Sequence, residues 1–280
     1  MNKILLTIIF LSFQLEASRV IEKTIFSYWD KPDIDIFYSV PETISEETKI
    51  LFIMHGDSRS AERYITDWLP LAENRNVVLI APKFSKEFYK EYVYLMKSNE
   101  KGRTISDPSL DLENSLGLLF DFFSSKLKLT NKSFRLYGHS GGSQFVHRYL
   151  LFSEELRIDK VAMANAGFYT FVDDSKKYPF GIKGMRVSDD RLEWFLRLKA
   201  GVFLTDQNND ARQSNLPAMR KVRKQGKNRL QRGNNFFNHL IKLGKDRNIS
   251  FRWRYHIVQG VAHDNSGMSA AASSFLLEDL

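Results

Sequence analysis

The sequence predicts a single α/β domain in which a mainly parallel β-sheet is covered by helices on both faces. Short runs of β-branched and aliphatic residues alternate with segments of about 10 to 15 residues whose apolar side chains have helical spacing. The 280 residues are 43% hydrophobic and 26% charged. This usage excludes disordered, collagen-like and coiled-coil chains. No repeat, low-complexity segment or linker divides the sequence.

The first 18 residues have the pattern of an export signal. Lys3 precedes an apolar run from Ile4 to Phe13, and the small residues Ala17 and Ser18 follow. The run is shorter than the roughly 20 residues that span a bilayer, and the arrangement is typical of secretion. A hydrophobic strand or an uncleaved anchor is the alternative. We expect residues 1–18 to be removed and residues 19–280 to form a secreted or periplasmic domain.

The remaining elements are predicted from local patterns. The segment 61–74 has helical spacing, but Pro70 should kink it. The predicted strands are 25–28, 34–39, 49–54, 77–81, 133–137, 160–164, 201–205 and 250–258. The predicted helices are 61–74, 110–128, 143–152, 191–199, 234–246 and 266–277.

Ser140 is the candidate nucleophile. It lies in Gly138-His139-Ser140-Gly141-Gly142, between a predicted strand and a predicted helix. Gly-x-Ser-x-Gly in that setting is typical of a nucleophile elbow, where glycines remove side chains that would collide with the adjacent elements. The turn presents the hydroxyl at a helix N-terminus, which favours developing negative charge. A glycine-rich turn with an incidental serine is the alternative.

His263 is the candidate general base, because it follows the last predicted strand and completes the chain order serine, acid, histidine. The other histidines fit loop, packing or surface positions better: His55, His139, His147, His239 and His256. No histidine or carboxylate group has the spacing of a zinc site. The absence of cysteine excludes thiolate ligands, disulfides and a cysteine nucleophile. We therefore expect no metal and no cofactor.

Two backbone N–H groups are the candidate oxyanion hole, since attack on a carbonyl needs donors where negative charge develops. One belongs to Gly141, directly after the nucleophile. The other lies in the loop after His55-Gly56, and Asp57 is the best placed residue there.

With these motifs the chain resembles α/β-hydrolases of the polyhydroxybutyrate depolymerase-like or esterase-like group. The similarity spans residues 50 to about 275. It rests on His55-Gly56-x-x-Arg59-x-Ala61-Glu62-x-Tyr64, Gly138-His139-Ser140-Gly141-Gly142-x-Gln144-Phe145-Val146-His147-Arg148, Asn165-Ala166-Gly167-Phe168-Tyr169-Thr170, Tyr178-Pro179-Phe180-Gly181, Gln225-Gly226-x-x-Arg229-x-x-Arg232-Gly233-x-Asn235-Phe236-Phe237 and Val261-Ala262-His263-Asp264. The resemblance implies the α/β-hydrolase fold and a secreted or cell-envelope serine hydrolase with Ser140 as nucleophile and His263 as base.

The acid that should orient His263 departs from the family pattern. Thr205 replaces a glycine, and Asn208 stands where the acid is expected. An Asn in place of a triad Asp costs a serine protease roughly 10⁴ in turnover. Either Asp206 or Asp210 supplies the carboxylate from a shifted loop, or the enzyme is weakened or inactive. Asp210 is preferred because it lies two residues beyond Asn208, although both aspartates also suit ordinary turns.

Two further segments bear on substrate and partners. Residues 166–190 lie where such folds carry a lid, and their aromatic side chains either line an acyl pocket or pack the lid onto the body. These side chains are Phe168, Tyr169, Phe171, Tyr178 and Phe180. Residues 212–232 carry no acid and eight basic side chains: Arg212, Arg220, Lys221, Arg223, Lys224, Lys227, Arg229 and Arg232. They form either a solvated helix face or a docking site for an anionic lipid or polysaccharide surface. No nucleic acid is expected, because no nucleic-acid motif accompanies them.

Two functions follow as hypotheses. The first is an exported serine hydrolase that cleaves small or envelope-derived carboxylic esters through an acyl-enzyme, since the chain leaves no room for a polymer-binding module. The second is a catalytically weakened or inactive α/β-hydrolase that binds an envelope ligand.

Overall fold

The computed structural model describes residues 19–105, 107–207 and 216–280. The predicted export signal, Asn208 and Asp210 lie outside them. The strands are β1 Glu22–Phe26, β2 Ile34–Ser39, β3 Lys49–Met54, β4 Val77–Lys83, β5 Phe134–His139, β6 Ile158–Ala164, β7 Lys199–Thr205 and β8 Arg254–Val258. The α-helices are α1 Ala61–Trp68, α2 Ser115–Leu127, α3 Gly141–Phe152, α4 Asp189–Arg197, α5 Arg220–Arg223, α6 Arg229–Asp246 and α7 Asn265–Leu276, and short 3₁₀ helices cover Tyr92–Tyr94 and Pro108–Leu110.

The eight strands form one sheet in the order β1-β2-β4-β3-β5-β6-β7-β8. The pairs β1–β2 and β2–β4 are antiparallel. The pairs from β4 through β3 and β5 to β8 are parallel. The carboxyl ends of the parallel strands therefore meet at one edge, where α/β sheets place their ligands.

The core lies on both faces of this sheet, because successive strand residues point to opposite sides. On β3, Phe52 packs in one apolar layer, whereas Leu51 and Ile53 pack in the other. Helices α2, α3, α4 and α6 contribute buried side chains to the first layer, and α1 and α7 to the second. The predicted α/β class with helices on both faces is confirmed.

Several boundaries differ from prediction. Helix α1 ends at Trp68 instead of continuing to residue 74, since Pro70 lacks the N–H that would continue the helical hydrogen bonds. The predicted helix 110–128 is a 3₁₀ turn followed by α2. Helix α6 begins five residues early because the Asn228 side chain caps it, accepting a hydrogen bond from the Gln231 N–H. Within residues 19–105, 107–207 and 216–280, every helix is too short or too polar to cross a membrane.

Candidate active site

Ser140 occupies a strained turn between β5 and α3. Its φ of 56° and ψ of −116° lie in a region that L-residues rarely adopt. The surrounding backbone holds the turn in place: the Ser140 N–H donates to the Ala164 carbonyl at 2.9 Å, and the Ser140 carbonyl accepts from Gln144 N–H at 3.2 Å. The hydroxyl is partly exposed at the first turn of α3, as a nucleophile elbow requires.

The neighbouring glycines allow this turn to pack against the sheet. A Cβ on Gly142 would lie 1.9 Å from the Met54 carbonyl oxygen at the end of β3. A Cβ on Gly138 would lie 2.5 Å from the Gly142 carbonyl oxygen. Neither position has room for a side chain, which is the physical reason for glycine at both.

His263 reaches the nucleophile from the loop after β8. Its Nε2 lies 3.1 Å from Ser140 Oγ, although the two residues are 123 positions apart in the sequence. That distance is within the range for direct proton transfer. The loop is fixed directly after His263, where the Asp264 side chain accepts from Gly267 N–H at 3.0 Å and caps α7.

The other ring nitrogen of His263, Nδ1, is buried and has no hydrogen-bond partner among residues 19–105, 107–207 and 216–280. The carboxylate of Asp206 is directed elsewhere, since its Oδ1 accepts from Gly260 N–H at 3.0 Å and closes the turn after β8. Asp210, the preferred acid, lies outside the described residues. The described part of the chain thus brings Ser140 and His263 together without an acid at Nδ1.

The surroundings of His263 favour its neutral form. Burial, together with the positive charge of Arg229, lowers the pKa of the imidazole to about 3, and Asp264 opposes this shift. Arg229 begins α6 and is 1% exposed. The sequence predicted that Arg229 belongs to an exposed basic segment, either a solvated face or a docking site, but the structure places its charge beside the candidate base.

The predicted oxyanion donors lie against the elbow. A Cβ on Gly141 would be 3.0 Å from Asp57 N, and a Cβ on Gly56 would be 3.6 Å from the Cβ of Ser140. His55 fixes this loop: its Nε2 accepts from Phe84 N–H at 3.1 Å, and its Nδ1 donates to the Gly56 carbonyl at 2.9 Å. The N–H groups of Asp57 and Gly141 are therefore neighbours beside Ser140, the arrangement that can bind a developing oxyanion.

His139 is a neighbour of the site that sequence reasoning treated only as the variable residue of the elbow. Its ring centroid lies 4.7 Å from that of His263. Its Nδ1 forms a hydrogen bond with Tyr64 Oη at 3.0 Å. Burial lowers the pKa of His139 well below its usual value. The sequence signal for this contact was Tyr64, which belongs to the block beginning at His55-Gly56 on which the family resemblance rests.

The remaining histidines have structural partners. His147 Nε2 accepts from Thr170 N–H at 2.9 Å, His239 Nε2 lies 3.2 Å from the Val172 carbonyl, and His256 stacks on Phe203. No three His, Asp or Glu side chains of the described residues are close enough together to hold a metal ion.

The lid residues pack onto the body of the domain. Phe168, Tyr169, Tyr178 and Phe180 are buried, and Phe171 is partly buried against the same core. Tyr178 Oη donates to the Tyr94 carbonyl at 2.7 Å.

The basic segment is not one solvated face. Arg232, like Arg229, is 1% exposed, because its guanidinium donates to the Gly167 carbonyl at 2.7 Å and to the Gly226 carbonyl at 3.0 Å. The solvated-face prediction is wrong for these two arginines. Lys221, Lys224 and three other basic side chains of the segment remain exposed.

Comparison with known proteins supports a hydrolase. No protein-family model and no curated protein matches the chain. Among solved structures, a poly(aspartic acid) hydrolase from Sphingomonas sp. KT-1 has a TM-score of 0.84 at 27% identity over 91% of this chain and 98% of that one. A poly(3-hydroxybutyrate) depolymerase from Bordetella parapertussis has a TM-score of 0.83 at 22% identity over 93% and 91%. A siderophore hydrolase from Aspergillus nidulans shares the fold more distantly, with a TM-score of 0.54 at 13% identity over 92% and 95%.

These structures confirm the predicted α/β-hydrolase fold and the predicted resemblance. The poly(aspartic acid) hydrolase, at 27% identity, also supports the prediction of an enzyme of the hydrolase class. The chain therefore has the α/β-hydrolase fold and resembles the depolymerase-like and esterase-like hydrolases built on it.

Proposed function

We propose that this chain is an exported serine hydrolase that cleaves carboxylic esters through an acyl-enzyme. The observation that carries the proposal is the 3.1 Å approach of His263 Nε2 to Ser140 Oγ. This pair lies beside the adjacent N–H groups of Asp57 and Gly141. Nucleophile, base and oxyanion donors are the groups that acyl transfer requires.

The chemistry assigns one role to each group. Ser140 Oγ attacks the ester carbonyl carbon while its proton passes to His263 Nε2, and the tetrahedral oxyanion accepts hydrogen bonds from the N–H groups of Asp57 and Gly141. The imidazolium then protonates the departing alkoxide, so that the alcohol leaves and the acyl group stays on Oγ. Water attacks this acyl-enzyme with His263 as base, which releases the carboxylic acid and restores the serine.

The names of similar proteins support acyl chemistry. Poly(aspartic acid) and poly(3-hydroxybutyrate), named in two of the neighbours, are both polymers of acyl units. We propose small or envelope-derived esters as the substrate here, with Asp210 as the acid that orients His263. The signal pattern in residues 1–18 supports export, for which intact mass of the secreted chain is the test: a start near Ser18 is expected, and retained Met1 contradicts it.

A catalytically weakened binding protein is the second candidate. Two observations favour it: Nδ1 of His263 has no partner in the part of the chain that the structure describes, and position 208 is asparagine. An imidazole without a carboxylate loses most of its catalytic power. In that case the cleft would bind an envelope ligand without turning it over.

A kinetic experiment separates the two candidates. Hydrolysis of p-nitrophenyl esters of increasing acyl length is measured for the wild type, His263→Ala and His256→Ala. We expect His263→Ala to lower turnover by about 10⁵ to 10⁶. His256→Ala is the matched control, because His256 stacks on Phe203 away from the nucleophile, and it should stay within a few-fold of wild type. A wild type no faster than His263→Ala on every ester contradicts the enzyme proposal.

A further inference from the structure

A cavity of about 410 Å³ lies between the lid and the basic segment. Four lysines from two separate stretches of chain line it. Lys176 and Lys177 come from the lid, whereas Lys221 and Lys224 come from α5 and the residue after it. Phe171 and Phe180 form the apolar part of its wall. The fold therefore collects four positive charges around one concave space.

Most of this positive charge is not neutralised within the described residues. Lys176 Nζ forms an ion pair with Asp173 at 2.7 Å. No acidic side chain of residues 19–105, 107–207 and 216–280 forms an ion pair with Lys177, Lys221 or Lys224. Like charges that face one space repel each other, and a cleft lined by one sign of charge concentrates ions of the opposite sign. The cavity thus has the electrostatics of an anion site.

The phenylalanines give the cavity a second chemical preference. The Lys221 ammonium lies 5.1 Å from the centre of the Phe180 ring, and the Lys176 ammonium lies 5.8 Å from that of Phe171. Such contacts hold the ammonium groups over aromatic faces. An anionic group that ends an apolar chain would therefore meet both charge and apolar surface.

The cavity wall is joined to the catalytic turn. Gln225 lines the cavity and exchanges two hydrogen bonds with the Tyr169 backbone, at 2.9 and 2.7 Å. Tyr169 lies five residues after Ala164, whose carbonyl accepts the Ser140 N–H. The cavity wall and the catalytic turn are therefore both anchored to the same segment after β6, at Tyr169 and at Ala164.

We propose that this lysine cavity, lined by Lys176, Lys177, Lys221 and Lys224, is a subsite of the proposed hydrolase for a carboxylate or phosphate group remote from the scissile ester. The inference rests on the proposed function and specifies its substrate class as an ester that bears an anion. It also favours a small anionic group over a lipid surface as the partner of the basic segment. Two of its lysines line one concave space together with two lid lysines, a geometry that suits one small anionic group better than a flat lipid surface.

A pair of matched substrates tests the subsite. The p-nitrophenyl monoesters of the dicarboxylic acids with 6 to 12 carbons are compared with their methyl-capped, uncharged counterparts. For the wild type we expect kcat/KM to be about tenfold higher for the charged ester at the best length, the scale of two partly exposed ion pairs. Lys221→Gln/Lys224→Gln should abolish this preference and leave the uncharged esters unchanged. Lys132→Gln/Lys245→Gln removes the same charge from exposed sites elsewhere and should preserve it.

A binding measurement keeps the inference testable apart from turnover. Suberate and octyl phosphate are each titrated calorimetrically into Ser140→Ala and into Ser140→Ala combined with Lys221→Gln/Lys224→Gln. Comparison of the two probes distinguishes carboxylate from phosphate. Equal kcat/KM for charged and uncharged esters, with no binding of either probe, overturns the subsite while the hydrolase proposal stands. If the wild type hydrolyses no ester but a probe still binds, the hydrolase proposal is overturned and the anion site stands. Binding only to vesicles of anionic lipid, and to neither probe, means that the segment contacts a surface and the subsite is wrong.

Discussion

At the residue scale, proton transfer from Ser140 to His263 requires that the positive charge on the imidazole be stabilised. The base must become positively charged during the reaction, yet burial and the charge of Arg229 hold the pKa of His263 at about 3. A buried imidazole so placed accepts a proton poorly. A carboxylate at Nδ1, where no described residue forms a hydrogen bond, would offset both effects. We propose that the loop after β7 supplies it.

Asp210→Asn is expected to lower kcat on a p-nitrophenyl ester by roughly 10⁴, the effect of removing a triad acid. Asp206→Asn is its matched control. Because Asp206 accepts from Gly260 N–H and not from His263, this change should be mild. Asn208→Asp restores the usual acid of the family and should raise the activity of a weakened enzyme. If neither aspartate matters and Asn208→Asp creates activity from none, the natural chain is a binding protein.

The pH profile gives an independent measure of the same partner. With Asp210 ionised beside Nδ1, the wild-type kcat/KM should fall as pH drops through about 6 to 7, because His263 is then protonated. In Asp210→Asn the acid limb should move below pH 5, toward the lowered pKa of an unpartnered ring. In Asp210→Asn the lowered pKa of His263 also reduces the free energy of unfolding below about pH 6.5, since the ring takes up a proton in the unfolded chain but not in the folded one. A wild-type profile that is flat down to pH 5 argues against any carboxylate at Nδ1.

At the scale of elements, the site depends on the close approach of α3 to the sheet. Gly142→Ala should lower the free energy of unfolding by about 3 kcal/mol or more, because the new Cβ would overlap the Met54 carbonyl and overpacking shifts backbone. Urea unfolding measures the loss. Gly184→Ala is the control: no atom lies within 4 Å of its Cβ, and only its φ of 84° opposes the change, which should cost about 1 kcal/mol. Equal losses would show that backbone strain, and not the contact with β3, fixes the elbow.

The elements also show what sequence can predict. Strand β3 has its predicted limits, because a buried parallel strand is a plain apolar run. The antiparallel strand β2 also has its predicted limits. The start of α6 was missed, since three of its first five residues are polar and its signal was the cap Asn228. Sequence analysis also assigned Arg229 and Arg232 to an exposed basic segment, as either a solvated face or a docking site. Local pattern cannot show that a distant backbone carbonyl, such as that of Gly167, accepts from a buried arginine.

For the site residues too, local motifs could be predicted from the sequence and contacts between distant residues could not. Ser140 and His263 stand in short motifs whose geometry is fixed locally, and the structure brings them within hydrogen-bonding distance. The environment of the pair depends on residues that only the fold brings near. His139 packs on His263, and Arg229 lowers the pKa of His263. No spacing in the sequence indicates either contact.

At the scale of the whole molecule, ion pairs at the C-terminus attach helix α7, which follows His263, to the sheet. Helix α7 follows His263, and the residues after it contact buried cations of the sheet: Asp279 pairs with Arg135 on β5 at 2.8 Å and with Lys160 on β6 at 3.0 Å. Although partial burial opposes the shift, hydrogen bonds from Arg135 and Lys160 lower the pKa of Asp279. The stabilisation from this pairing is therefore present above the unfolded pKa near 4 and is lost as pH falls below it.

Asp279→Asn should lower the free energy of unfolding by about 1 to 2 kcal/mol at pH 7. The loss is limited because the Asp279 side chain is 52% exposed and Arg135 retains Asp159. Urea unfolding at pH 7 and pH 3 checks both size and sign, with a smaller difference expected at pH 3. Asp246→Asn, which breaks an exposed pair with Lys242, serves as control and should change stability by less than about 0.5 kcal/mol.

The central claim is that Ser140 is the reacting group of the whole molecule, and covalent labelling tests it most directly. A fluorophosphonate phosphonylates a serine only where a base and oxyanion donors activate it. Wild-type protein should take up one label per chain, with peptide mass spectrometry locating it on Ser140, and Ser140→Ala of unchanged melting temperature should take up none. An unlabelled wild type, or equal labelling of Ser140→Ala, would contradict the account.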